Sequence, residues 1–342
     1  MREEALAAPP CVARLLEQDA GVYAALALHL RQRPADALLT LARGSSDHAA
    51  QHLAYLVMAR LGRLVTSLPM SLFTLYGARL ATPALQGFAF SQSGQSPDLV
   101  EPLQALRAVG AGTVAVVNDT SSPLAQAAQF VLPLHAGPER SVAATKSYIA
   151  QLVAGARLVA AWQQDAVLAA AVAALPEALS QAALLDWAEA VPRLQAVQQL
   201  FVIGRGPGLA VAQEAALKFK ETCGVQAEAY SGAEVQHGPM ALVGPGWPVL
   251  VLAPRGPAQA GLLALAEQLH ARGAAVMLAL PDVQRAAVPK GLLTLPLATA
   301  GHEDLDAITT VQSFYLMVEA LSRARGRDPD APPYLAKVTR TH

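Results

Sequence analysis

Glu214, Lys218 and Glu221 stand at i, i+4 and i+7 in the second half of this 342-residue chain, a spacing that stacks all three on one face of a helix. The rest of that stretch is mainly Ala, Leu, Val and Phe, with Gln213 and Lys220 elsewhere. A carboxylate held near a lysine in such surroundings can be tuned as a general base for a proton on carbon. A solvated salt-bridge face has the same spacing. The stripe follows Gly206-Pro207-Gly208, a turn expected at the carboxyl end of a strand, which would aim it toward a ligand crevice. Downstream lies Glu234-Val235-Gln236-His237-Gly238-Pro239. A histidine before Gly-Pro belongs in a turn, and His237 has no ligand partner at i+3 or i+4 that would make a metal site.

Two further turns are rich in hydroxyls: Arg43-Gly44-Ser45-Ser46-Asp47-His48 and Ser91-Gln92-Ser93-Gly94-Gln95-Ser96-Pro97-Asp98. Pro97 suits the first position of a helix, making Ser96 its N-cap. Backbone N–H groups, the positive end of a helix dipole and serine hydroxyls then converge, a chemistry suited to a phosphate dianion. One such turn alone could be an ordinary capping loop; two in one unit favour phosphate. No G-x-G-x-x-G fingerprint and no Walker lysine accompany them, so a nucleotide is not the expected carrier.

Only five of the 25 basic residues are lysine: Lys146, Lys218, Lys220, Lys290 and Lys337. A chain that uses arginine wherever a surface cation suffices makes these five candidates for a titratable amine or compact charge, about half of them being expected leftovers. The 25 basic residues balance 26 acidic ones without runs of like charge. This argues against nucleic-acid binding through a basic field and against a polybasic membrane anchor. The longest apolar stretch, 166–175, is half of the ~20 residues a spanning helix needs. Cys11 and Cys223 make neither a disulfide framework nor a four-cysteine zinc site. A cytoplasmic, helix-rich, two-domain protein without metal or other cofactor is expected, with no leader peptide at its start.

Elements that could position these residues alternate along the chain. Apolar runs at 37–42, 64–67, 88–90, 114–117 and 130–134 read as short strands, and 46–61 and 97–109 carry helical periodicity between them. An opening helix is expected over 11–33. From 143 to 190 the pattern turns helical, broken at Pro176, as a bridge between domains. Strands resume at 200–203, 248–253, 275–280 and 292–297. Arg43-Gly44 recurs as Arg205-Gly206 at a shift of 162, and the segment 110–119 recurs as 273–282 at a shift of 163. Two matches at nearly one offset mark a duplicated α/β unit, each a doubly wound parallel sheet flanked by helices, a flavodoxin-like three-layer sandwich.

The two serine turns, Val142-Ala143-Ala144-Thr145-Lys146, the Glu214–Lys218–Glu221 run, His237-Gly238-Pro239 and Leu335-Ala336-Lys337 occur in an order that resembles tandem sugar isomerase (SIS) domain proteins. The similarity is to the isomerase half of glutamine–fructose-6-phosphate aminotransferase and to SIS-type glucosamine-6-phosphate deaminases. Arg43-Gly44-Ser45-Ser46-Asp47-His48 and Ala144, where synthases usually have serine, resemble the deaminase branch. The resemblance implies a sugar phosphate held by Gly44, Ser45, Ser46, Ser91, Gln92, Ser93 and Ser96, with Ala143 and Thr145 also at the substrate. It implies that Glu221, with Glu214 and Lys218, moves a proton between C1 and C2, that His237 opens the sugar ring and that Lys337 reaches the substrate. The implied activity is conversion of glucosamine 6-phosphate to fructose 6-phosphate and ammonia. A synthase-like aminotransferase lacking the glutaminase domain, a sugar-amine deglycase and a non-catalytic sugar-phosphate sensor are alternatives.

Five segments are expected: a helical lead at 1–36, the first SIS domain at 37–160, a helical linker at 161–195, the second SIS domain at 196–326 and an arm at 327–342 carrying Lys337. The resemblance also implies a homodimer in which His237 serves the neighbouring subunit, with Met240-Ala241-Leu242-Val243 at the interface.

Overall fold

The computed structural model describes residues 1–78, 80, 84–283, 288–289 and 291–337. Lys290 and the tail beyond Lys337 lie outside the described residues. Two five-stranded sheets are present, each wholly parallel. The first comprises β1 (Ala37–Leu41), β2 (Val65–Ser67), β3 (Leu85–Ser91), β4 (Gly112–Val117) and β5 (Phe130–Pro133) in the order β2-β1-β3-β4-β5. The second comprises β6 (Gln199–Gly204), β7 (Gln226–Ser231), β8 (Pro248–Leu252), β9 (Ala275–Pro281) and β10 (Leu293–Leu297) in the order β7-β6-β8-β9-β10. The two orders are the same once each sheet is counted from its own first strand, as the internal repeat requires. Each is the doubly wound 2-1-3-4-5 arrangement, with helices on both faces.

The chain divides into two compact units. One contains 10–139, 146–173 and 335–342 around the first sheet; the other contains 1–9, 140–145 and 174–334 around the second. In the first unit the helix Lys146–Gln163 packs on Ser45–Leu61 and Ala20–Gln32. On the opposite face Leu39, Leu41, Ala89 and Val117 alternate inward and meet Leu99, Leu103 and Leu106 of the helix Pro97–Ala108, the period-two side-chain pattern of a strand.

Several elements differ from the sequence expectation. The helix expected over 11–33 is two helices, Ala8–Glu17 and Ala20–Gln32, preceded by a short Arg2–Leu6; Asp19, at a left-handed φ of 58°, separates the two by interrupting the hydrogen-bond ladder. β3 runs well beyond 88–90, since Gly87 is not a breaker: a Cβ there would lie 2.9 Å from Leu106 Cδ1, so the glycine permits close helix packing. β7 has no continuous apolar run. It is an edge strand with exposed Glu228. The helical stretch breaks twice: at Gln164, φ 61°, and, as expected near Pro176, between Ala166–Ala173 and Leu175–Ala183, which meet at 45° with Pro176 in the tolerated first turn of the second. Asp165 Oδ1 restarts the helix by accepting the N–H groups of Val167 and Leu168. Among the described residues no single helix is long and apolar enough to cross a membrane.

Candidate active site

In the first unit both serine turns lie at strand carboxyl ends, after β1 and β3, the neighbours at which strand order reverses. This is the switch point where doubly wound sheets bind ligands. Ser96 occupies the N-cap and Pro97 the first helical turn, as expected. Ser91 Oγ accepts the Gly94 N–H at 2.9 Å and Ser93 Oγ the Gln95 N–H at 3.4 Å. A hydroxyl that accepts from backbone still has its own O–H to donate, so both serines keep a donor of the kind an anion needs. Ser46 Oγ accepts from Gln151 Nε2 at 2.9 Å. Gly94 has φ 64°, and a Cβ there would lie 2.2 Å from Ser122 Oγ; no other residue fits. Arg43 Nε donates to Asp98 Oδ2 at 3.0 Å, tying the first turn to the helix that follows the second.

The same unit holds a carboxylate that sequence reasoning missed. Glu139, whose side chain is fully buried, accepts the Ser147 N–H at 3.1 Å and the Ser147 hydroxyl at 2.6 Å. Ser147 is in the first turn of the helix Lys146–Gln163, so the negative charge sits at a helix N-terminus, where the dipole favours it. Lys337 Nζ donates to Glu139 Oε2 at 2.9 Å, and Lys146 Nζ donates to the Pro138 carbonyl at 2.7 Å. A glutamate one residue before Arg140 gave no spacing signal; the scarcity of lysine, which singles out Lys337, points only to its partner.

In the second unit the helix Pro207–Cys223 brings Glu214, Lys218 and Glu221 together. Lys218 Nζ stands 3.2 Å from Glu214 Oε1 and 2.5 Å from Glu221 Oε2. Glu214 and Lys218 are completely buried; the Glu221 side chain keeps 21% of its exposure. Burial opposes the Lys218 charge, yet the two carboxylates outweigh it and hold the ammonium above its ordinary value. This is not a solvated salt-bridge face. Nor does it open toward the Gly206 turn: Glu221 is in the last turn, roughly 20 Å down the helix at 1.5 Å per residue. The expectation that the turn would aim the stripe at its own crevice is therefore corrected for Glu221.

His237 ends a 3-10 turn, Glu234–His237, and is exposed. Gly238 follows with φ 142°. The segment packs through Val235, Met240 and Val243 into a core with Phe201, Ile203, Val249, Val251 and Leu262. That core lies on the face of the second sheet that carries the helix Gln259–Ala271. No residue of Pro207–Cys223 belongs to this cluster; that helix packs on β6, β7 and Asp306–Ala324. Glu221 and His237 of one chain thus stand on elements on opposite faces of a sheet. Met240 and Val243, expected at an interface, are in the unit's own core, while Leu242 stays exposed. Ala143 and Thr145 are buried and belong to the second unit. Lys220 is exposed. Among the described residues no three His, Cys, Asp or Glu side chains gather into a metal-holding group.

Both sheets and both helix-capped switch points point to one duplicated domain, and the comparison with known families agrees: residues 33–161 and 193–321 each match the SIS domain. The chain belongs to the SIS-domain family. It is similar to a solved structure from Silicibacter pomeroyi DSS-3 provisionally named a phosphosugar isomerase, with 43% identity, TM-score 0.90, and 96% of this chain and 99% of that one covered. It is 34% identical over 318 residues to the glutamine–fructose-6-phosphate aminotransferase [isomerizing] of Aeropyrum pernix, covering 88% of this chain and 50% of that protein. The chain spans about half the length of such aminotransferases. The glucosamine-6-phosphate deaminase structure from Thermotoga maritima shares the fold at 20% identity, TM-score 0.78, with 99% of each chain covered.

Proposed function

We propose that this chain is a phosphosugar isomerase that deaminates an amino sugar, converting glucosamine 6-phosphate and water to fructose 6-phosphate and ammonia in the cytoplasm. The carrying observation is Glu221, a partly exposed carboxylate held at 2.5 Å by a buried ammonium that a second, buried carboxylate backs. Such a group is fixed in place, yet open to a substrate proton. The provisional name of the Silicibacter pomeroyi structure, at 43% identity, supports the substrate class.

On this reading Gly44, Ser45, Ser46, Ser91, Gln92, Ser93 and Ser96 hold the phosphate, and Ala143 and Thr145 line the sugar. His237 opens the ring by moving a proton from the C1 hydroxyl to the ring oxygen. Glu221 takes the C2 proton, leaving an enolamine, and returns it to C1, giving a ketose imine. Water adds to the imine carbon and ammonia leaves. Lys337 contacts the open sugar. Segment 37–160 is the phosphate-binding half and 196–326 the proton-moving half, with 1–36, 161–195 and 327–342 flanking them. The active form is a homodimer that shares His237 between subunits.

A second reading has a specific support: relatives at 34% and 33% identity are named aminotransferases. The same groups would then run the reaction toward glucosamine 6-phosphate with ammonia as donor. Incubation with glucosamine 6-phosphate, following ammonia release and exchange of the C2 proton with deuterated solvent, tests the first reading. Both are expected, and both are lost in Glu221→Gln while sugar-phosphate binding persists. Neither ammonia nor exchange from the native chain would refute the assignment.

A further inference from the structure

The charged chain on the helix Pro207–Cys223 has a fourth member. Tyr315 lies in the helix Asp306–Ala324, which packs on Pro207–Cys223, and its hydroxyl donates to Glu214 Oε1 at 2.9 Å. Tyr315, Glu214 and Lys218 are all completely buried. We infer that Tyr315 is a positioning residue: it anchors Glu214 from the neighbouring helix, so that Lys218 is left to make its shorter contact with Glu221. The inference rests on the reading of Glu221 as the proton-moving carboxylate.

The argument is one of shared charge. One ammonium serves two carboxylates, at 3.2 Å for Glu214 and 2.5 Å for Glu221. A carboxylate stripped of water needs more than one donor to remain ionised. The Tyr315 hydroxyl supplies such a donor to Glu214. Removing that donor strengthens the pull of the fully buried Glu214 on the shared ammonium, away from Glu221, whose side chain keeps 21% of its exposure. Protonation of Glu214 is the competing response, but an ammonium at 3.2 Å opposes it.

Other ionisable groups on the packed elements have partners of their own. On Asp306–Ala324, Glu319 pairs with Arg323 and stands 3.8 Å from Arg2, and Asp306 pairs with Arg255 at 2.7 Å. Arg325, just past that helix, donates to the Cys223 carbonyl at 2.9 Å. On β7, Tyr230 donates to Glu228 at 2.6 Å, and β6 carries no ionisable side chain.

The test is Tyr315→Phe, which removes one oxygen and keeps the ring. The titration of Glu221 is followed by carbon NMR of glutamate-labelled protein, assigned with Glu221→Gln. The Glu221 midpoint is expected to move to higher pH, and the acid limb of kcat/KM to move with it. kcat should fall about ten- to a hundredfold, the reach of one hydrogen bond to a charged group, with KM little changed. An unmoved or lowered Glu221 midpoint in a folded variant overturns the inference, whatever the activity. Glu214→Gln serves if the phenylalanine variant fails to fold: with no second carboxylate competing for the ammonium, the Glu221 midpoint is expected to fall there, and an unmoved or raised midpoint overturns the sharing on which the inference rests. A native protein inactive on glucosamine 6-phosphate would sink the functional reading alone, since the NMR titration needs no turnover.

Discussion

Lys337 reaches back across 198 residues of sequence to donate to Glu139 at 2.9 Å. The carboxylate is fully buried and the lysine about three-quarters so. A residue near the end of the described chain is thereby held by the helix start that Ser147 forms around the same carboxylate. Burying this carboxylate is tolerable because three donors surround it.

Glu139→Gln should therefore loosen the arm. The amide keeps the shape but loses the charge, and a hydrogen bond to a charged group contributes about 1.5–3 kcal/mol. Tryptic cleavage after Lys337 should accelerate by tenfold or more in the variant, before the rest of the chain is cut. An unchanged rate would mean that other contacts hold the arm.

Replacing Ser91 and Ser93 together by alanine should raise KM for the sugar phosphate much more than it lowers kcat. Contacts to a phosphate remote from the reacting carbons act mainly as uniform binding. Because both hydroxyls also accept backbone N–H groups within the turn, thermal unfolding of the variant is the control. A native-like Tm with an unchanged KM would mean that the phosphate binds elsewhere.

The fold was legible because its signals were local and repeated. Strand–helix alternation and the two matches at nearly one offset foretold two sheets of one topology, since a duplicated pattern must bury the same faces twice. β7 was hidden because an edge strand with Glu228 facing solvent needs no continuous apolar run. In the site, helical spacing placed Glu214, Lys218 and Glu221 together. It did not show that Glu221 stands far from the Gly206 turn, which depends on helix length. Glu139 and Tyr315 were invisible because their partners, Lys337 and Glu214, are distant in sequence.

Asp165 offers a pH test of the first unit's helical end. The Leu168 N–H, opposed by burial and joined by Arg60 and the Val167 N–H, holds its carboxyl below the ordinary 3.8; Arg60 Nη2 lies 2.5 Å away. A depressed carboxyl contributes stability above its unfolded value and loses it as pH falls through the folded one. Asp165→Asn should lower Tm at neutral pH, and the difference from the native chain should shrink well below pH 3.8. A gap that persists undiminished in acid would assign the effect to shape rather than charge.

The last prediction concerns how Glu221 and His237 meet. Within one chain they sit on elements at opposite faces of the second sheet, and layers packed on such a sheet stand about 10 Å from it on either side. His237 is exposed on its turn and Leu242 beside it is 59% exposed, as suits a segment that reaches another subunit. Complementation separates the two arrangements. His237→Ala and Glu221→Gln chains, each inactive, are mixed under conditions that allow subunit exchange. If the histidine serves its neighbour, each mixed dimer has one site with both groups intact and one with both lesions. With equal amounts and random exchange in a two-fold dimer, about a quarter of all sites regain activity. If His237 serves its own chain, every site keeps one lesion. No recovery, with exchange confirmed by mass labels, would overturn the shared site.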